Sequence, residues 1–182
     1  MEIFSRGVSN GAKTVRLQVP AHEPHPKPLT GVPTMTTTLT PSLGFDGKTR
    51  EAFAFYEKAL GAKIQAMLSY ADMPRPATPT EGCEGAAPSG DGIMHACIVL
   101  PGGAMLFAGD APPNVPYEGV KGCMLALQYD TVDQAQSAFH ALSQGGTVTM
   151  PLAPAFWAKT FGMLTDRFGV SWAVNGESIP MA

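Results

Sequence analysis

Two stretches decide the fold: Ser42–Ile64, SLGFDGKTREAFAFYEKALGAKI, and Ala126–Val148, ALQYDTVDQAQSAFHALSQGGTV. Laid on one another they match at Leu43/Leu127, Asp46/Asp130, Ala54/Ala138, Phe55/Phe139, Gly61/Gly145 and Ile64/Val148, all at one offset of 84 residues (130 − 46). The first stretch sits in a run that reads as a short strand over Leu39–Phe45, closed by Asp46-Gly47. Ala52, Phe55, Tyr56, Ala59 and Leu60 then recur at helical spacing, which predicts a helix over Lys48–Leu60 with one buried face. Gly61 stands where a left-handed C-cap is expected, and Ala62–Tyr70 resumes as a strand. The second stretch repeats this order: a strand over Gly122–Tyr129, a cap at Asp130-Thr131, and a helix with Val132, Ala135, Phe139 and Leu142 on one face. Gly145-Gly146 ends that helix, and Thr147–Leu152 is a strand. Cap, helix, terminator and strand recurring at one spacing indicate an internal duplication.

Outward from the repeat, Asp72–Asp91 is a long Pro/Gly-rich loop. Gly92–Leu100 and Ala104–Ala108 form a hairpin across Pro101-Gly102-Gly103. Asp110–Tyr117, with three prolines, is a linker. Ala155–Thr165 and Val170–Asn175 flank the turn Asp166–Gly169. Each module is therefore βαβββ, module one over about 39–110 and module two over about 120–176. The expected class is α+β: duplicated βαβββ modules forming a curved mixed sheet with a concave cleft, helices on the outside. Residues 1–34, carrying Pro20, Pro24, Pro26, Pro28 and Pro33, keep no helical or strand period and read as a disordered or loosely packed extension to a domain over 35–182. Met35 reads as an alternative start.

Composition narrows the function. Charged residues are 15% of the 182, against about 25% in ordinary globular chains, and 12 basic face 15 acidic residues for a net charge of −3. A nucleic-acid partner calls for a basic excess, which is missing. No apolar run approaches the roughly 20 residues of a membrane span, and the N-terminus lacks the apolar core of a secretory signal. Cys83, Cys97 and Cys123 show no paired spacing, so they read as reduced, mostly buried thiols of a cytoplasmic protein.

The two modules, with Phe55-Tyr56 near the end of the first helix and Leu60-Gly61-Ala62 after it, resemble the glyoxalase/bleomycin-resistance (vicinal oxygen chelate) superfamily. Further strings resemble its PhnB-like branch, often labelled demethylubiquinone methyltransferase-like: Asp72-Met73-Pro74, Glu81-Gly82-Cys83, Met94-His95-Ala96, Phe156-Trp157-Ala158, and Thr165–Val170 followed by Trp172. A methyltransferase reading gets no support from the residues, since no G-x-G-x-x-G run opens either helix. The resemblance implies metal ligands on the first and last strands of each module. The residues there are Thr40, Pro41 and Ser42; Leu106 and Phe107; Met124 with Cys123 and Leu125; and Ala173 with Trp172 and Val174. None offers the imidazole or carboxylate that a divalent ion wants, so no metal and no cofactor are expected.

His95 interrupts an otherwise apolar strand and shares a face with Ile93 and Cys97. It reads either as a general base or ligand donor near neutral pH, or as a hydrogen-bonded structural histidine. Asp110 is placed to orient it, to bind substrate or to cap a turn. Phe156, Trp157 and Phe161 suit a planar or cationic ligand, whereas Trp172 reads as core. Asp166 and Arg167 suggest a turn with a local ion pair, or an anion contact through Arg167. The candidate cleft is therefore His95, Phe107, Asp110, Met124, Phe156, Trp157 and Arg167, with His95 the candidate catalytic residue. The expected function is metal-free binding of a small molecule, by a homodimer with neither nucleic-acid nor membrane partners. The alternatives are a metal-dependent lyase, isomerase, dioxygenase or thiol transferase, and a scaffolding module acting through its dimer surface.

Overall fold

Tyr56, Phe53, Ala52 and Thr49 lie one or two turns apart on one helix face and are all fully buried, which fixes how α1 (Thr49–Leu60) seats on its sheet. A computed structural model describes residues 37–72, 90–112 and 116–180. The extension over 1–34, Cys83 and most of the Asp72–Asp91 loop lie outside the described residues. The strands are β1 (Ser42–Phe45), β2 (Lys63–Ser69), β3 (Ile93–Val99), β4 (Met105–Asp110), β5 (Leu125–Tyr129), β6 (Thr147–Ala153), β7 (Ala158–Thr165) and β8 (Ser171–Ser178), with α2 (Val132–Leu142) after β5. The order is βαβββ twice, an α+β duplication as expected.

The strands make two mixed four-stranded sheets with the same order, β1-β4-β3-β2 and β5-β8-β7-β6. In each, the first and last strands of the module run parallel at the sheet's edge and the rest are antiparallel. Helix α1 packs on β2, β3 and β4, α2 packs on β5, β7 and β8, and the helices pack on each other. Leu43, Phe45, Ala96, Ile98, Leu106, Phe139, Leu164, Trp172 and Val174 join the helix faces in one core shared by both modules. Among the described residues no helix packs on the sheet faces turned away from α1 and α2.

The offset of 84 holds for β1/β5 and for β2/β6, whose limits 63–69 and 147–153 correspond residue for residue. The helices slip by one. Residues 46–48 separate β1 from α1, with Gly47 at φ 66°, whereas only residues 130–131 separate β5 from α2. Buried Ala52 and Tyr56 therefore correspond to Ala135 and Phe139, while Phe55 is only partly buried. Phe53, absent from the expected stripe, is fully buried in its place. Past β2 the offset falls to 66 (173 − 107), because module one carries the longer loop.

Two further expectations change. Asp166 and Arg167 form no ion pair: Asp166 points inward to Tyr56 and Trp172, and Arg167 turns back to the carbonyl of Gln144. Cys97 is buried, but Cys123 is exposed, because Gly122 sits at φ 71° and β5 begins only at Leu125.

Candidate functional site

The uncovered face of module one is set by alternation along its strands, except that a register shift between Leu68 and Ser69 turns Ile93 into the core and not, as expected, onto the face of His95. Ala96 and Ile98 of β3 and Leu106 and Ala108 of β4 point to the core, so His95, Cys97, Met105 and Phe107 point the other way. His95 meets Phe107 edge to face, ring centroids 5.0 Å apart, and lies opposite Leu68 of β2. Cys97, next along, brings its Sγ to 3.6 Å from Oε1 of Gln65. Among the described residues His95 has no hydrogen-bond partner, so its neighbour is an aromatic ring, not an orienting carboxylate. Leu68 and Met105 are exposed on the same face.

The uncovered face of module two carries a polar-aromatic corner. Trp157 stands between Phe156 and Phe161, both edge to face, with centroids at 4.6 and 5.2 Å. Its indole Nε1–H donates to Oδ1 of Asn175 at 3.0 Å, and Asn175 lies directly across from Phe161 on the neighbouring strand. Gln128 is the next residue across from Asn175. Phe156 is 78% exposed, unusual for a ring of its size. Further out on the same face Lys159 pairs with Glu177, which is held at φ 55°. Asn175 escaped the sequence reading. The available signal was a lone carboxamide in Trp172-Ala173-Val174-Asn175-Gly176, two places from Ala173 and so on the same face.

Met124 belongs to a third feature. It is 47% exposed and borders a hollow of about 370 Å³ at the end where β1, β4, β5 and β8 come together. Leu39, Pro41, Met105, Leu106, Ala126 and Trp172 are among the other residues of its wall. A volume above about 300 Å³ with an apolar lining suits a small hydrophobic molecule.

The other two expected residues lie on the helix side. Asp110 is 9% exposed, and both its oxygens are engaged: Oδ1 accepts from the backbone N–H of Thr49 at 3.0 Å and from its hydroxyl at 2.6 Å, and Oδ2 accepts from the N–H of Ile93 at 2.7 Å. It caps α1 from 61 residues away, where Lys48 at the N-cap position offers no side-chain bond. Arg167 lies against Gln144 and Phe55. The structure therefore brings together His95 with Phe107 and Phe156 with Trp157, and sets Asp110 and Arg167 elsewhere.

Two βαβββ modules sharing one core, each leaving a sheet face open, define a duplicated α+β scaffold. The chain belongs to the Glyoxalase/Bleomycin resistance protein/Dioxygenase superfamily, whose family model matches residues 44–174. It is 32% identical over 139 residues to Protein YjdN of Escherichia coli (strain K12), covering 75% of this chain and 93% of that one. Among solved structures it resembles protein PA1353 from Pseudomonas aeruginosa, with 46% identity, a TM-score of 0.67, and 77% of this chain and 97% of that chain covered. It also resembles a Bacillus cereus PhnB protein described as a putative 3-demethylubiquinone-9 3-methyltransferase, with 27% identity, a TM-score of 0.58, and 76% and 98% covered.

The superfamily implies a metal on the first and last strands of each module, so the donors there matter. Register sets Ser42 opposite Phe107 and, at the equivalent place in module two, Ala126, not Met124, opposite Ala173. The next open-face pair is Gln128 with Asn175. One hydroxyl and two carboxamides lack the imidazole nitrogen or carboxylate oxygen that holds a divalent ion, so these residues do not fit one. Among the described residues no three His, Cys, Asp or Glu side chains gather as a ligand set. No helix among them is long and apolar enough to cross a membrane.

Proposed function

We propose that this protein binds a small, largely apolar molecule without a metal ion, acting as a homodimer. The observation that carries the reading is the substitution at the open-face strand positions: Ser42, Phe107, Ala126 and Ala173 stand where ligands for a divalent ion would be needed. The apolar hollow of about 370 Å³ beside Met124 and the paired rings His95–Phe107 and Trp157–Phe161 supply dispersion contacts and edges, with the Asn175 carboxamide as a polar handle. Open sheet faces bearing exposed Leu68, Met105, Met150 and Phe156 favour a second copy, since exposed apolar side chains gathered on one face mark an interaction surface. The methyltransferase activity by which the Bacillus cereus protein is described is not carried over: neither Asp46-Gly47-Lys48 nor Asp130-Thr131 is a glycine-rich donor-binding turn.

The test is a thermal-shift and native mass-spectrometry screen of planar and aliphatic small molecules on protein purified without chelator, with elemental analysis of the same sample. Stabilisation by one compound class, abolished by Trp157→Ala or Phe107→Ala, is the expected result. A stoichiometric divalent ion that is lost on His95→Ala overturns it.

A further inference from the structure

The outer side of α1 and the turn between β7 and β8 enclose a groove of about 520 Å³, apart from the residues of either open sheet face. Lys48, Lys58 and Arg167 line it, with Glu51 as its acidic residue, so it carries a local excess of positive charge on a chain whose net charge is −3. Among the described residues none of the three cations has a carboxylate within ion-pair distance. Phe55 and Phe168, ring centroids 5.7 Å apart, form the apolar part of the wall.

Arg167 is held in place. Its Nε and Nη2 donate to the carbonyl of Gln144 at 2.8 and 2.6 Å, and its Cζ lies 4.7 Å over the Phe55 ring. Gly145, at φ 73°, makes room, since a Cβ there would stand 3.3 Å from both nitrogens. Its Nη1 donates to no group among the described residues. A guanidinium already fixed by a carbonyl and a ring has little freedom left to lose on meeting an anion. Lys48 at the N-cap of α1 and Lys58 in its last turn are ten residues apart, about 15 Å of rise, so their long side chains can close on the groove from both ends.

We propose that this groove is a binding site for a small aryl anion, a flat ring bearing phosphate or carboxylate. The ring lies on Phe55 and Phe168, and the anionic head meets Nη1 of Arg167 and the two ammonium groups. The site is independent of the open-face reading and stands or falls on different residues.

Amide NMR titration of the whole chain at low salt tests it, with phenyl phosphate, inorganic phosphate and phenol as probes. Phenyl phosphate is expected to give saturable shifts at Phe55, Gln144 and Phe168 at millimolar concentration, with the other two probes about tenfold weaker or more. The double variant Lys48→Gln, Lys58→Gln, both exposed positions, is expected to keep the fold by circular dichroism and to bind about tenfold more weakly. Absence of saturable shifts at those amides, phenol binding as tightly, or an unchanged double variant each overturns the proposal. Shifts confined to Trp157 and Phe161 overturn it too, while supporting the open-face reading.

Discussion

The hydroxyl of Tyr56 donates to Oδ2 of Asp166 at 2.7 Å, tying the helix of module one to the last turn of module two. The indole Nε1–H of Trp172 donates to the same oxygen at 2.8 Å, and the N–H groups of Phe168 and Val170 take Oδ1. Asp166 is 4% exposed, and among the described residues its carboxylate has four donors but no cation. Removing it strands two buried side-chain donors at once. Asp166→Ala is therefore expected to cost about 3–5 kcal/mol in urea unfolding, and Tyr56→Phe only about 1–3 kcal/mol, because Trp172 still satisfies the oxygen. Equal losses in the two variants would mean that Asp166 does not bridge them.

The same contact sets an alkaline limit. Burial, and then the charge and hydrogen bond of Asp166, push the Tyr56 hydroxyl far above its ordinary 10.0. The folded chain keeps this proton while the unfolded chain releases it near pH 10, so the stabilisation is complete below that pH and is lost above it. The slope from this group approaches about 1.4 kcal/mol per pH unit. Burial also raises Tyr129 and Tyr117, the latter with help from Asp46, so some alkaline loss remains without Tyr56. Unfolding free energies between about pH 8 and about pH 11 should fall less steeply for Tyr56→Phe than for the parent. Parallel curves would contradict this.

Helix register offers a second measurement. Phe53 is wholly buried, whereas Phe55 is partly buried beneath Arg167. Phe53→Ala is expected to cost about 3–5 kcal/mol and Phe55→Ala about 1 kcal/mol. The reverse order would restore the stripe that the repeat alignment suggests.

That stripe shows what the sequence could and could not reveal. The duplication was readable because β1, β2 and their counterparts keep a strict offset and Gly61 and Gly145 both take positive φ. The face of α1 was not, because one extra residue before the helix rotates it by about 100° relative to α2, and periodicity cannot see a turn's length. His95 and Phe107 share a face by alternation along neighbouring strands, which sequence can supply. Asp110 and Asp166 were visible as carboxylates near turns, but their partners lie 61 and 110 residues away, and no local pattern encodes those contacts.

The duplicated modules cap their helices by different means, and this yields the last prediction. Asp110 and Gly176 occupy equivalent places, paired with Phe45 and Tyr129 on the first strands. In module one the carboxylate at that place caps α1. In module two Thr131 caps α2 locally, accepting from Gln134 N–H at 3.3 Å, and the equivalent place must stay empty. A Cβ on Gly176 would come within 2.6 Å of the Ala135 methyl and 2.8 Å of Thr160 Cγ2, driving α2 off β8. Gly176→Ala should therefore destabilise by about 1–3 kcal/mol through overpacking, and Thr131→Ala by about 1 kcal/mol. Asp110→Asn keeps an acceptor for Thr49 but turns an amide N–H₂ toward the Ile93 N–H, for an expected loss of about 1–3 kcal/mol. Hydrogen exchange separates the cases: Asp110→Asn should loosen the Ala52 and Phe53 amides, and Gly176→Ala those of Ala138 and Phe139. Loosening in the opposite module would show that capping is shared between the helices, not divided as their contacts indicate.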